Sequence, residues 1–174
     1  FVNLTACTVT GVANVYTANV NLTQGKHFTQ VFTVENANTS QKFVLPNDSI
    51  DTTTMTVNVQ VSSNDATANA YTQFAGLVPL DANSTVYFVH ETYDAFTELT
   101  FGDGVIGKAL INGNIVTVDY LKVGGDKANR AAVFTAQGTI SGAPATLVLA
   151  NTAEPSTGGA APETLKSIQR LAPL

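Results

Sequence analysis

The chain has 174 residues, enough for one large domain or two small ones with a hydrophobic core. Charged residues make up only 12% of the sequence, and neutral Thr and Asn supply the polarity, which favours strands joined by many turns. The net charge of −5, the short apolar runs and the single cysteine, Cys7, predict no nucleic-acid partner, no membrane span and no intrachain disulfide.

Alternation of apolar and polar residues predicts four strand regions in the first half of the chain. They are residues 2–22 with a turn at Gly11, residues 28–34, residues 42–45 closed by Pro46, and residues 55–61. The last region is the clearest, because its apolar residues fall on one face of a strand: Met55, Val57, Val59 and Val61.

Two hairpins are predicted in the middle of the chain. Residues 86–90 and 96–101 form the first. Leu110 and Ile111, an Asn112-Gly113 turn and residues 115–120 form the second, because Asn-Gly accepts the left-handed dihedrals of a tight hairpin turn.

The last part of the chain changes character. Residues 132–135 and 145–149 resemble the opening strands in length and texture, and residues 157–160 resemble a flexible joint. Pro162-Glu163 suits the first turn of a helix, in which Leu165, Ile168 and Leu171 share one face. Because the chain starts at Phe1 and stops soon after this helix begins, we expect a fragment of a longer polypeptide.

These patterns predict a mainly β fold of antiparallel β-sandwich-like modules with a short C-terminal helix. We expect a central β module at residues 25–129. Residues 1–24 plus 130–157 are expected as flanking strands that form a second sheet layer, and residues 158–174 as a linker and the start of a helical segment.

The segment that most resembles a functional site runs from Gly102 to Lys108. It contains the dinucleotide-binding pattern G-x-G-x-x-G and nearly the phosphate-binding pattern G-x-x-x-x-G-K, although Ala109 stands where Ser or Thr must hold magnesium. Both sites need a helix directly afterwards, and here a strand and a turn are predicted instead. The kinase motifs H-R-D and D-F-G do not occur. We therefore predict a structural turn made by Phe101, Gly102, Asp103, Gly104 and Gly107.

Within this turn, Asp103 is expected to accept hydrogen bonds from nearby backbone N–H groups. Its replacement should then lower stability or assembly, with no enzymatic activity to lose. Elsewhere, we predict no catalytic, cofactor-binding or metal-binding residues. His90-Glu91 resembles the start of a zinc-protease motif, but Asp94 stands where the second His belongs. Four aspartates could meet around calcium, but without EF-hand spacing: Asp81, Asp94, Asp103 and Asp126.

The order of features along the chain resembles a known family. These features are Val31-Phe32, Phe43-Val44-Leu45-Pro46, Met55-Thr56-Val57-Asn58-Val59, Val86-Tyr87-Phe88-Val89-His90-Glu91, Phe101-Gly102-Asp103-Gly104, Asn112-Gly113-Asn114-Ile115 and Gly158-Gly159-Ala160-Ala161-Pro162-Glu163-Thr164-Leu165. Together they resemble the baseplate J-like family, and more closely the baseplate wedge subunit of contractile-tailed bacteriophages. The resemblance extends from about residue 20 to the C terminus.

This resemblance implies a structural virion protein without catalytic residues or cofactors. Such wedge subunits form an inner ring around the tail hub, together with copies of themselves and other wedge proteins, and help to trigger sheath contraction. The chain would then be made in the host bacterial cytoplasm and reside in the tail baseplate, with no small-molecule substrate. The face formed by Leu165, Ile168 and Leu171 would be a subunit interface.

Two other functions are weighed against this one. A carbohydrate-binding or adhesin-like β-sandwich would expose clustered aromatic rings, for which the candidates are Tyr71, Phe74, Tyr87 and Tyr93; the absence of Trp weakens it. A nucleotide enzyme would use the segment from Gly102 to Lys108, and it predicts that ATP or NAD raises the melting temperature.

Overall fold

The computed structural model describes residues 2–3, 9–12, 15–18, 21–35, 41–76, 79–134, 139–140, 143–144 and 154–161. The chain divides into two compact units, Phe1–Val123 and Gly124–Leu174. None of the helical segments in these ranges has the length and apolarity needed to cross a membrane.

A single seven-stranded sheet forms the main body of the first unit. Its strands are β5 (Lys26–Thr33), β6 (Phe43–Asp48), β7 (Ile50–Ser62), β8 (Asp65–Gln73), β9 (Val86–Glu91), β10 (Phe96–Phe101) and β11 (Ile115–Lys122). They lie in the order β5-β11-β7-β8-β9-β10-β6. All neighbours are antiparallel except β8 and β9, which are parallel. Two smaller pairs precede the sheet in sequence: β1 (Val2–Asn3) with β4 (Leu22–Thr23), and β2 (Val9–Val12) with β3 (Val15–Ala18).

The sheet curls into a nearly closed, barrel-like form, in which its two edge strands approach each other. The rings of Phe32 on β5 and Phe43 on β6 lie 5.4 Å apart, edge to face. The hydroxyl of Tyr120 on β11 donates a hydrogen bond to Asn47 Oδ1 on β6 at 2.5 Å. Side chains, more than backbone ladders, therefore hold the seam between β5 and β6 in the described part of the sheet.

The interior of this barrel is the hydrophobic core. Period-two alternation places Met55, Val57 and Val59 of β7 inside, as their sequence pattern predicts. Val116 and Val118 of β11 alternate in the same way and are fully buried. The other core residues are Val34, Phe43, Leu45, Tyr71, Tyr87, Leu99, Phe101 and Tyr120. Burial of such apolar area stabilises the fold by about 25 cal/mol per Å².

The chain turns the barrel corner between β6 and β7 at Ser49, which adopts a φ of 55°. Just beyond it, β7 bulges: Thr56 pairs with Asp119 and Asp51 with Leu121, so four residues of β7 oppose one residue of β11. The side chain of Asp51 braces this bulge by accepting bonds from the backbone N–H (3.0 Å) and hydroxyl (2.6 Å) of Thr53. Residues 52–55, which include three consecutive threonines, therefore form a bulge within β7.

The second unit contains a 3-10 helix (Gly125–Ala128) and the short pair β12 (Thr139–Ile140) with β13 (Ala143–Pro144). Residues 128–131 and 156–159 are joined by hydrogen bonds. Asn129 Nδ2 donates to the carbonyl of Gly159 at 2.8 Å, and the backbone N–H of Arg130 donates to the carbonyl of Ser156 at 2.7 Å.

Several predictions of secondary structure are confirmed, and several are wrong. The strand at 28–34 and the hairpin of 86–90 with 96–101 are present. The turn at Gly11 is wrong, since Gly11 lies inside β2 opposite Tyr16. Pro46 does not end its strand but lies inside β6. β6 tolerates proline because it is an edge strand, whose outer side has no neighbouring strand to receive backbone N–H groups.

The second hairpin is also wrong. Leu110 and Ile111 form no strand, and β11 pairs with β5 and β7 instead. Residues 132–134 are likewise not strand. Val61 is 37% exposed, because the pairing of β7 with β8 is irregular between Gln60 and Ser62.

The sandwich-like architecture is corrected as well. The described core lies inside one curled sheet, because residues from strands at both edges of that sheet pack in the same core. Within the described ranges, no second large sheet packs face to face against this sheet. The short C-terminal helix, with Leu165, Ile168 and Leu171, falls on residues 162–174, outside the described residues, as does Cys7. The predicted division at residues 25–129 stays a prediction.

Candidate functional site: the loop pair at residues 81–84 and 102–109

The residues predicted as a structural turn form one half of a pair of loops beside β9 and β10. We call residues 81–84 and 102–109 together the loop pair. The 102–109 loop follows directly after β10, and its first residue is anchored by Phe101, whose ring lies 5.5 Å from the rings of both Phe43 and Tyr71. The loop therefore emerges from the core rather than from a mobile surface segment.

Asp103 organises the tip of the longer loop. Its Oδ1 atom accepts hydrogen bonds from the backbone N–H groups of Val105 at 2.8 Å and Ile106 at 2.7 Å. The N–H of Gly104 donates to the carbonyl of Gly107 at 3.0 Å and closes the same turn. The bonds from Ile106 and then Val105 hold the pKa of the Asp103 carboxyl below its usual value of 3.8, because they favour its charged form.

The glycines of this loop are required by its geometry. At Gly102, a Cβ atom would lie 2.2 Å from the carbonyl carbon of Gly107, so the two backbone segments approach too closely for any side chain. Gly107 has a φ of 82° and would place a Cβ atom 3.0 Å from the Cγ2 atom of Val86. Left-handed dihedrals of this kind are costly for residues other than glycine.

The shorter loop is braced in the same manner by Asp81. Its Oδ1 atom accepts bonds from the backbone N–H of Asn83 at 2.9 Å and from the hydroxyl of Ser84 at 2.8 Å. The Ser84 hydroxyl first, and the Asn83 N–H second, lower the pKa of Asp81. Sequence reasoning missed this role, although an Asp followed three residues later by Ser is a common turn-forming pattern.

Two backbone hydrogen bonds tie the loops together. The N–H of Gly107 donates to the carbonyl of Asp81 at 2.9 Å, and the N–H of Lys108 donates to the carbonyl of Ser84 at 2.8 Å. With the bonds described above, every backbone N–H from Gly104 to Lys108 has an acceptor within the loop pair. A phosphate cradle needs such groups free, and here the carboxylate of Asp103 occupies the position that an anion would take.

The longer loop exposes two apolar side chains at its tip. The side chains of Val105 and Ile106 are 73% and 55% exposed, although their own backbones are held by Asp103. We call these two residues the Val105–Ile106 tip. A fixed backbone that carries exposed β-branched side chains loses little conformational entropy on binding, which is typical of a contact surface for another protein.

The other sequence candidates do not gather into a site. Tyr71 and Tyr87 are buried in the core, Phe74 packs on Phe88, and Tyr93 stands alone and fully exposed in the β9–β10 turn, so these rings form no sugar-binding platform. His27 lies 3.7 Å from Asp119, distant in sequence from His90 on β9. Among the residues that the structure describes, no three His, Cys, Asp or Glu side chains form a group that could hold a metal ion.

Asn114 is a further residue that sequence reasoning missed. It is the one buried polar side chain among the described residues, at 7% exposure. Its Oδ1 atom accepts a bond from the N–H of Ile111 at 2.9 Å, and its Nδ2 atom donates to the carbonyl of Val61 at 2.8 Å. The sequence predicts a two-residue hairpin turn at Asn112-Gly113, whereas Asn114, directly after it, joins this turn to β7.

Comparison with known proteins identifies the family of this chain. A search of curated proteins gives no match. The model of the family described as "Bacteriophage baseplate wedge protein gp6, third domain" matches residues 30–137, which include most of the barrel and the whole loop pair. Since this match covers more than half of the 174 residues, the chain belongs to the family of the third domain of bacteriophage baseplate wedge protein gp6.

Proposed function

We propose that this chain is a non-enzymatic assembly module of a contractile phage tail. In this proposal it belongs to the wedge and inner ring of the baseplate, is related to baseplate J-like proteins, and helps to couple the baseplate to sheath contraction. Its partners are copies of itself and other wedge proteins. The observation that carries the proposal is the family match over residues 30–137, joined to a glycine-rich loop whose backbone N–H groups from Gly104 to Lys108 are engaged internally.

The Val105–Ile106 tip is the proposed contact with a neighbouring subunit. Exposure of two apolar side chains is unfavourable in an isolated chain, and burial in an interface removes this cost. Full burial of one such side chain contributes about 1.5–3 kcal/mol. The face of Leu165, Ile168 and Leu171 remains a second predicted interface, and synthesis in the host cytoplasm remains a prediction.

Electron microscopy of tails that carry the labelled full-length protein tests this proposal. The label should appear at the baseplate, in several copies around the tail axis. Absence of the label from complete tails would contradict the baseplate role of this protein.

The contact itself is tested by replacing both tip residues, in Val105→Asp with Ile106→Asp. Charged side chains in an apolar contact should lower incorporation into wedge complexes by about tenfold or more. The control is Val133→Asp, which changes another β-branched residue that is 88% exposed. Equal incorporation of both variants, with unchanged melting temperatures, would rule out the tip as a contact.

A further inference from the structure

Strand β8 pairs with only the first two residues of its neighbour β9. The two strands pair in parallel only through Thr72 with Val86 and Gln73 with Tyr87, followed by one bond from the N–H of Phe74 to the carbonyl of Tyr87 at 2.9 Å. Gly76, with a φ of 80°, then turns the chain. Strand β9 continues to Glu91, so its last residues have no partner strand on this side within the described part of the chain.

The backbone of β9 shows which groups point into this gap. The N–H of Thr92 donates to the carbonyl of Phe96 at 2.8 Å, so Thr92 faces β10. Alternate residues of an antiparallel strand face the same neighbour. His90 therefore also faces β10, opposite Glu98, whereas Val89 and Glu91 direct their N–H and C=O groups to the side that β8 has left. An open strand edge of this kind is a template for another strand.

A groove opens at the same place, because β8 also separates from β7 there. The pairing of β7 with β8 covers Val57 opposite Tyr71 through Ser62 opposite Asp65. Of the earlier β7 residues, Thr56, Asp51 and Ile50 pair with β11, and residues 52–55 form the bulge. The groove has a volume of about 330 Å³. The one β9 residue that lines the groove is Tyr87, and the edge of Val89 and Glu91 begins two residues further along β9. We call the groove and this edge together the β9 slot.

The groove carries no charged side chain. Its walls are hydroxyl, amide and apolar groups of β7, β8 and Tyr87, among them Thr56, Ala70 and Gln73. A charged ligand would lose hydration here without gaining an ionic partner, whereas an uncharged one would not. The volume lies at the lower limit of ordinary ligand cavities, which suits a short segment.

We propose that the β9 slot takes up an extended, uncharged segment of another baseplate polypeptide, which adds to β9 as a parallel strand along the line that β8 leaves. The backbone groups of Val89 and Glu91 recognise the extended chain, and the neutral groove selects its side chains. This inference rests on the proposed baseplate role for the identity of the partner, while the slot itself rests on strand geometry.

A matched pair of substitutions on β8 tests the groove. Ala66 and Ala70 are both exposed and lie four residues apart on the same face of β8, but only Ala70 lines the groove. Ala70→Arg should lower incorporation of the full chain into wedge complexes by about tenfold, since it places a cation in the uncharged groove. Ala66→Arg should change incorporation less than about twofold. Equal effects of the two variants would overturn the proposal.

Amide hydrogen exchange tests the strand edge directly. The N–H groups of Val89 and Glu91 should exchange quickly in the free protein and slowly in baseplates, whereas the N–H of His90, directed at β10, should be protected in both. The same protection is expected with a capped hexapeptide of alternating valine and threonine at millimolar concentration, and not with its proline-interrupted version. Absence of protection in both settings would overturn the proposal.

The outcomes separate the slot from the baseplate role. If the chain enters baseplates while Val89 and Glu91 stay unprotected, the slot is wrong and the proposed function stands. If the chain never enters baseplates but the hexapeptide protects these amides, the slot stands and the proposed function fails. Protection that grows with the concentration of the chain alone, or with neutral oligosaccharides instead of peptide, would overturn the choice of another polypeptide as occupant.

Discussion

Replacement of Asn114 by Ala is the most direct test of how the barrel end is held. The Asn114 side chain joins the turn at residues 111–114 to the carbonyl of Val61 on β7, which lies 53 positions away in sequence. The turn is also tied to the end of β5 by backbone bonds between Val34 and Asn114 (2.8 Å) and between Gly113 and Val34 (2.9 Å). The substitution therefore removes the side-chain attachment of the turn to β7 and leaves the backbone attachment to Val34 intact.

The expected cost follows from the bonds that are lost. Two bonds have good geometry, at 2.9 and 2.8 Å, while the third, to the carbonyl of Gln60 at 3.4 Å, is long. A net contribution of about 1 kcal/mol for each good bond gives a loss of about 2 kcal/mol in the free energy of unfolding. The N–H of Ile111 regains water because this residue is 61% exposed, which keeps the cost from rising further.

Urea unfolding followed by tyrosine fluorescence measures this loss, because the chain has no Trp and Tyr71, Tyr87 and Tyr120 are buried in the barrel. The midpoint should fall by about 1 M at an unchanged slope. Asn69→Ala, at an exposed position on β8, is the control and should change stability by less than about 0.5 kcal/mol. If Asn114→Ala behaved like this control, the side-chain bonds would not be holding the turn.

Two further predictions concern the 102–109 loop. Gly102→Ala should cost about 4 kcal/mol of stability or prevent folding, because its Cβ atom would lie 2.2 Å from a backbone atom. Gly76→Ala, with a φ of 80° but open space around it, should cost only about 1 kcal/mol. Thermal melts compare the two variants, and equal losses would contradict the steric reasoning. Because the folded pKa of Asp103 is lowered, its bonds stabilise the fold above the unfolded pKa, near 3.8, and this stabilisation is lost as the pH falls through the lower folded pKa. Urea midpoints between pH 6 and pH 2 should therefore fall less steeply in Asp103→Asn than in the unsubstituted chain, and identical slopes would contradict the assigned role.

Local pattern predicted those strands whose two faces differ. Residues 55–59 alternate apolar and polar because one face lines the core, and residues 86–101 form a hairpin because their strands are adjacent in the chain. Pattern failed where pairing is distant in sequence. The local pattern predicts a hairpin for residues 115–120, but their partners are residues 28–33 and 56–60. No local signal encodes such a partner.

The candidate site divides in the same way. The sequence predicts the turn role of Asp103 and the glycines, since the short carboxylate side chain accepts hydrogen bonds from nearby N–H groups and glycine adopts positive φ. The sequence does not predict that this loop pairs with the loop of Asp81, because the hydrogen bonds between the two loops join backbone atoms, which every residue carries.

The sequence by itself determined a mainly β chain and a glycine-rich turn braced by an aspartate, because periodicity and turn chemistry are properties of neighbouring residues. Only the tertiary structure decided that one sheet curls upon itself instead of two sheets stacking, and that β8 stops short of the end of β9. Both outcomes depend on register and curvature across many strands. At the seam between β5 and β6, which no backbone pairing closes, the aromatic contact of Phe32 with Phe43 holds the two edge strands together.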